Sequence, residues 1–467
     1  MTGELIHEPP GQQWPEAKGK VVLWRREAWA STRLAVPLIL AQLAHVAITT
    51  TDVLMMGWLG PEAVAAGSLG THLYFPVFLL GLGVVAAVGP MTAQALGARQ
   101  RGQIPDIFRQ GLLISAVMGV VFGSVLWWGE AILLVFGQQA ETAAAAQSYL
   151  RAALWGLAPS FALVVLRNFL AAHSRPRAIM VVMILGVCFN ALADYALMFG
   201  HFGFPALGVV GAGLASSLVN GWMFLALLAV AVVHREFRPY RLLAGPWRPN
   251  LSLIREVLAI GIPIGLGILA ESSLFAATAL LMGLIGTTAL AANAIALQCM
   301  SVAFMIPLGF SQAATVRVGL AAGAGDRAGL ARAGWSALGL GLLLSALPVT
   351  LFLVVPRFLA TLFLDPGQSV NLPVIETIVL LLGIAALFQV FDGIQIIAAG
   401  ALRGLKDTRV PMWIALFGYW VVGFSCSLLL GFGLGLEVIG IWSGVALGLA
   451  VTAGLLVWRF YVLSARP

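Results

Sequence analysis

Four carboxylates, Asp52, Asp194, Glu271 and Asp392, stand inside long apolar stretches of this 467-residue sequence. An ionised side chain at a bilayer centre costs about 2.5–3.5 kcal/mol on insertion scales. Four together would cost on the order of 10 kcal/mol unless they line water, take up a proton or hold a cation. Their chemistry is therefore that of an ion or substrate path. Glu271 is flanked by GLGILA and SSLFAA, and Asp392 lies in FQVFDGIQ. Asp52 and Asp194 fall in the outer parts of their segments, so reaching the headgroups is a second reading for these two. Asn190 and Asp194, four apart, share one helix face. An amide and a carboxylate there suit a proton relay or a hard-cation site. Helix–helix hydrogen bonding produces the same spacing, and spacing alone leaves both readings open.

The elements that carry these residues follow from composition. Hydrophobic residues make up 60% and charged residues 10% of the chain, with a mean hydropathy of +0.98. A soluble globule of this size needs about 25% charged residues, so the sequence is that of a polytopic membrane protein. Cys188, Cys299 and Cys426 all lie in apolar runs and do not form a disulfide framework. The net charge of +7 is not organised for nucleic acid, because no Lys/Arg run is interleaved with aromatics.

A span needs roughly 20 mostly apolar residues. Twelve are expected, near 34–59, 64–95, 105–129, 143–168, 176–200 and 208–233, then 255–285, 289–320, 328–355, 370–400, 410–434 and 437–463. The resulting organisation is a polar tail over 1–33, an N-lobe over 34–233, a linker over 234–254 and a C-lobe over 255–467. Residues 1–20 are polar and read as a flexible tail without the apolar core of a signal peptide. The linker region HREFRPYRLLAGPWRP carries Arg235, Arg238, Arg241 and Arg248. Other basic residues fall before span one (Lys18, Lys20, Arg25, Arg26, Arg33) and in alternate connections (Arg99, Arg101, Arg109, Arg175, Arg177, Arg327, Arg332, Arg403, Lys406, Arg409), with Arg459 and Arg466 at the end. The intervening connections hold Glu62, Glu130, Glu141, Asp365 and Glu437, with Arg357 as the exception. The positive-inside rule then places both termini in the cytoplasm.

The halves repeat. A shift of 226 carries Pro37 to Pro263, Met56-Gly57 to Met282-Gly283, Leu82-Gly83 to Leu308-Gly309 and Gly97-Ala98 to Gly323-Ala324. Six spans are an even number, so the repeats are parallel, an arrangement some secondary transporters use with the site between halves. The deep carboxylates break this symmetry: at the shift of 226 Asp52 falls opposite Thr278 and Glu271 opposite His45, and at the shift of 232 that sets SRPR (Ser174–Arg177) on KDTR (Lys406–Arg409) Asp194 falls opposite Cys426 and Asp392 opposite Ser160. A carboxylate needed only to hold the repeat would be expected in both halves.

Enzymatic chemistry is not expected. His45 and His72 lie in spans without metal-ligand spacing, there is no Walker A sequence, and GFSQA at Gly309–Ala313 lacks the final Gly of a nucleophile elbow. No cofactor is expected.

PLILAQLAHVAITTTDVLMMGWLG (Pro37–Gly60) with AVAAGSLG (Ala63–Gly70) resembles the first two helices of the multidrug and toxic compound extrusion (MATE) family. FDGIQIIAAGALRGLKDTRVP (Phe391–Pro411) resembles the tenth-helix signature of its NorM branch. The resemblance covers essentially residues 30–463. It implies an all-α protein with twelve transmembrane helices in two pseudo-symmetric six-helix bundles, forming a V. The implied activity is alternating-access export of bulky, often cationic compounds, coupled to inward Na⁺ or H⁺, by a monomer in a prokaryotic inner membrane. Glu271 and Asp392 match the branch's cation-binding Glu and Asp. Asp52, Asn190 and Asp194 match its N-lobe proton, cation or substrate residues. Two departures are Phe388, where the family often has a Tyr, and Asn293-Ala294, where it commonly has His-Gln as a polar drug contact.

A flippase for lipid-linked oligosaccharide or peptidoglycan precursor, from the same wider superfamily, is the alternative. Its anionic substrate would require a basic cavity, whereas the deep residues here are acidic. Residue counting also raises a geometric objection to a shared Glu271–Asp392 site, because it puts Asp392 about 10 Å nearer the cytoplasm than Glu271 at 1.5 Å per residue.

Overall fold

The structure, a computed structural model, describes residues 16–245 and 247–465, with side chains from residue 21 onward. The expected tail over Met1–Pro15 and the terminal Arg466 lie outside the described residues. Among those described, twelve helices are long and apolar enough to cross a membrane. They are α1 (Glu16–Leu59), α2 (Pro61–Gly97), α3 (Arg101–Leu126), α4 (Ala140–Ala172), α5 (Pro176–Phe199) and α6 (Val209–Val233) in the N-lobe. The C-lobe contributes α7 (Leu251–Ile285), α8 (Thr287–Gly323), α9 (Arg327–Val354), α10 (Ser369–Gly404), α11 (Arg409–Gly433) and α12 (Glu437–Ala465). The repeat extends to its irregular parts: a short helix, Gly129–Val135 or Pro356–Thr361, follows the third long helix of each half.

One expectation needs correction. The stretch over 16–20, expected as part of a flexible tail, is instead the start of α1, which runs through 21–33 into the span without a break. The charges over 16–33 hide this start from a hydropathy reading, although Leu34, Ala35 and Leu38 bury one face directly after them. The linker is held rather than loose. Arg109 Nη1 donates to Ala244 O at 2.7 Å, and Gln110 Nε2 donates to Arg248 O at 3.0 Å, both from α3. Asn250 then caps α7, its Oδ1 accepting from Ser252 N and Leu253 N.

Within the N-lobe, α1 packs on α5, α5 on α6, and α4 against α2, α3 and α6. In the C-lobe α10 is central, flanked by α8, α9 and α12. The lobes meet chiefly through α2 with α7 and α1 with α8. At the end bearing the termini the apolar core is continuous across both lobes, from Leu34 and Val88 to Phe310, Leu402 and Phe460. Toward the opposite end it divides into a C-lobe core around Met282, Leu382 and Val445 and a small N-lobe cluster around Met56 and Met198. The lobes are thus joined at one end and parted at the other.

Repeat-related glycines make the joint. A Cβ on Gly97 would lie 2.1 Å from Leu320 O, and one on its repeat mate Gly323 would lie 2.1 Å from Gln94 O. Backbone meets backbone at both places, so a side chain at either would wedge the lobes apart. Gln94 Nε2 adds a hydrogen bond to Gly404 O at 2.8 Å.

Candidate functional site

The deep polar residues gather into two clusters, one in each lobe. In the C-lobe, Gln395 on α10 is the hub. Its Nε2 donates to Glu271 Oε1 on α7 at 2.9 Å and to Asp392 Oδ1 at 3.2 Å. Its Oε1 accepts from the Tyr419 hydroxyl on α11 at 2.6 Å. Asp392, Gln395 and Tyr419 are buried, while Glu271 is half-buried on the wall of a cavity of about 50 Å³. Arg403 lines the same cavity, and its charge faces Glu271. A water needs about 10–15 Å³ by this measure, whereas drug sites run from about 300 Å³, so the cavity fits a small ion with a few waters and no drug.

The expected 10 Å offset between Glu271 and Asp392 is absent. Lys406 Nζ pairs with Glu256 Oε1 at 2.7 Å, which fixes the level of α7 against the end of α10. From that pair, fifteen residues lead to Glu271 and fourteen to Asp392, or about 22 and 21 Å of helix. The first residues of α7 project past the end of α10, and counting from helix starts misses that overhang.

Tyr419 reaches Gln395 from a π-helical stretch over Phe417–Phe424. Wide turns of this kind recur at functional sites because they re-aim one side chain. Small residues seat the stretch closely on α12: a Cβ on Gly418 would meet Thr452 Oγ1 at 2.0 Å. Phe388, where a family hydroxyl is missing, is buried against the rings of Phe275 and Trp442 and supplies only an apolar wall. Asn293 is buried too, its Oδ1 accepting from Trp442 Nε1 at 3.0 Å. It ties α8 to α12.

The N-lobe cluster joins α1, α5 and α6. Asn190 Nδ2 donates to Asp52 Oδ1 at 2.8 Å, and Ser216 Oγ lies 3.4 Å from Asp52 Oδ2. Asp194 faces Asp52 from one turn beyond Asn190. Asn190 and Asp194 are completely buried, and among the described residues neither the Asp194 oxygens nor Asn190 Oδ1 has a donor. Two facing carboxyls, of which Asp194 has orphaned oxygens, can be satisfied by a shared proton, by a cation or by internal water. All five residues singled out from sequence therefore lie in these clusters. Sequence reasoning missed Gln395, Tyr419 and Ser216. Gln395 was detectable, three residues after Asp392 and so on the same helix face.

The remaining deep cations are neutralised or set aside. Arg317 is bidentate on Glu27 at 2.8 and 2.5 Å, and Arg151 stacks on Trp127 with its guanidinium carbon 5.1 Å from the ring centroid. Arg167 donates to Gln42 Oε1. Among the described residues no group of three or more His, Cys, Asp or Glu is arranged to hold a metal ion.

Comparison with known proteins agrees with this architecture. The MatE family model matches residues 37–196 and 263–429, one segment in each lobe. A Mesorhizobium japonicum protein described as a probable multidrug resistance protein NorM is 46% identical over 442 residues, covering 94% of each chain. A crystal structure of a MATE protein in a straight conformation superposes with a TM-score of 0.85 at 19% identity, covering 94% of this chain and 97% of that one. A transporter of the MOP superfamily from Pyrococcus furiosus, described as having a binding pocket of reversed polarity suggestive of a different function, superposes with a TM-score of 0.82 at 19% identity, covering 94% and 96%. The structural matches establish the fold; the family model and the long match to the Mesorhizobium protein establish descent. The chain belongs to the MatE family, that of the MATE transporters.

Proposed function

We propose that the protein is a multidrug efflux antiporter that exports bulky, often cationic compounds in exchange for Na⁺ or H⁺. The observation that carries this reading is the amide of Gln395 holding two carboxylates, Asp392 buried and Glu271 on a cavity too small for a drug. Two like charges in a low-dielectric interior repel, and one Na⁺ or one shared proton relieves the repulsion. Glu271 and Asp392 supply carboxylate oxygen to the cation, and Gln395 and Tyr419 fix where those oxygens point. The N-lobe cluster of Asp52, Asn190 and Asp194 is a second proton, cation or substrate site.

Drug occupies the opening between the lobes. Antiport follows if cation binding favours the conformation that releases drug, or if a cationic drug competes for the same negative charge. The distribution of Lys and Arg supports both termini being cytoplasmic. The joined end then faces the cytoplasm, the parted end faces outward, and the chain acts as a monomer in the inner membrane.

The same fold carries pockets of either polarity, so the sign of the charge must come from the residues. Flipping of an anionic lipid-linked precursor requires deep basic groups, and the acidic clusters count against it. The test is drug transport in vesicles with separately imposed Na⁺ and pH gradients. Cationic drug should move outward on at least one gradient; movement on neither would overturn the antiporter reading. A reporter fused after Pro467 should be active only on the cytoplasmic side.

A further inference from the structure

The end where the lobes join carries two adjoining cavities of about 530 and 550 Å³ that the transport chemistry does not use. They share His173, Ser174 and Glu236. Five arginines line them: Arg101 on one, and Arg33, Arg175, Arg177 and Arg317 on the other. Among the described residues Glu236 is the single carboxylate on either wall, and it is taken by Arg175 at 2.5 Å. Arg317 is taken by Glu27. Arg33, Arg101 and Arg177 have no acidic partner among the described residues. Burial lowers the pKa of His173, so the positive character belongs to the arginines.

The positive-inside tendency explains why arginines occur at this end. It does not explain why three unpaired ones surround a concavity. Two further features point to a phosphate. The amino end of α5 opens into the larger cavity through Pro176, Arg177 and Ala178, and no side chain caps it. Free backbone amides and the helix dipole there add to the guanidinium charge. The rim is also suited to a lipid. Trp29 lies on it with 64% of its surface exposed, Arg33 stacks over the indole at 5.0 Å, and Val233 beside the cavity is 62% exposed. An indole at the headgroup level and a basic pocket between helix ends together match the way anionic lipid heads are held.

We propose that these cavities form a binding site for the phosphate headgroup of an anionic glycerophospholipid of the inner leaflet. Arg33 and Arg177 grip one phosphate in the larger cavity, and Arg101 extends the site into its neighbour. Because Arg317 and Leu320 belong to α8 while the other lining residues belong to the N-lobe helices and the linker, a headgroup here touches both lobes. Occupancy therefore favours the arrangement in which this end is closed. The site is distinct from the acidic clusters, and its existence does not depend on the proposed transport.

The test is competitive retention of phosphatidylglycerol against phosphatidylcholine by the purified full chain, counted by native mass spectrometry. Wild-type protein should retain phosphatidylglycerol preferentially. The R33Q/R177Q variant should lose that preference by about thirty-fold, on the scale of two interfacial arginines. R101Q, an independent variant, should lose about five-fold. R248Q/R409Q removes the same charge from exposed positions that line neither cavity and should bind as wild type. Unchanged preference in R33Q/R177Q and R101Q would overturn the site. Equal loss in R248Q/R409Q would reduce it to diffuse charge. Displacement by millimolar inorganic phosphate would reassign it to a free anion.

Discussion

The two lobes descend from one repeat, yet they bury a pair of carboxylates in different ways. In the C-lobe one amide, Gln395, donates to both Glu271 and Asp392 and is itself held by Tyr419, so the polar hub is hydrogen-bonded on every arm. In the N-lobe the amide of Asn190 reaches only Asp52, and Asp194 is left without a donor. Glu271 of the C-lobe pair borders a cavity, and the pair is organised before any ion arrives. The N-lobe pair needs something added to become satisfied. Buried networks are costly when half satisfied, so the contrast separates an organised small-ion site from a site whose occupancy is part of its stability.

The largest effect expected from breaking this contrast is on export. Glu271→Gln and Asp392→Asn should each bring drug efflux to the level of cells without the protein, while membrane abundance stays at wild type. Resistance assays with quantified expression check this. Asp52→Asn and Asp194→Asn should reduce export less and change its pH dependence. If both export normally at every pH tested, the N-lobe cluster is structural.

Next in size is stability. Gln395→Ala removes two donors and one acceptor at once and should cost about 2–3 kcal/mol, whereas Asn190→Ala removes one donor and should cost about 1 kcal/mol. Thermal unfolding of the purified variants orders the two. Asp194→Asn should be neutral or stabilising, because it replaces a donorless carboxylate with a group that can donate to Asp52. A clear loss of stability in Asp194→Asn would show that Asp194 is already satisfied. The smallest effect is that of Tyr419→Phe, which removes one hydrogen bond worth about 1 kcal/mol. It should lower apparent cation affinity a few-fold with drug affinity unchanged, measured by cation titration of transport.

Much of this was readable before any coordinates. Span number follows from apolar length, and the deep carboxylates announce themselves because the bilayer makes them expensive. Their partners are less visible. Gln395 shares a helix face with Asp392 and could be read from spacing, but Ser216 sits among small residues in GLASSLVN with nothing to mark it. Tyr419 depends on a π-helical stretch that no hydrophobic period encodes. The helical start at Glu16 was hidden because Lys18, Lys20, Arg25, Arg26, Glu27 and Arg33 suppress hydropathy there. The level of Glu271 with Asp392 needed the Lys406–Glu256 pair, since helix overhang is set by tertiary contact rather than by local sequence.

The most direct test of the central claim is drug efflux from proteoliposomes under imposed Na⁺ and pH gradients, run on wild type, on the C-lobe variant E271Q/D392N and on the N-lobe variant D52N/D194N. The C-lobe variant should show no gradient-driven efflux on either gradient, while the N-lobe variant keeps a measurable fraction on the gradient that drives wild type. Wild-type efflux by E271Q/D392N on that gradient would contradict the assignment of the coupling cation to Glu271 and Asp392.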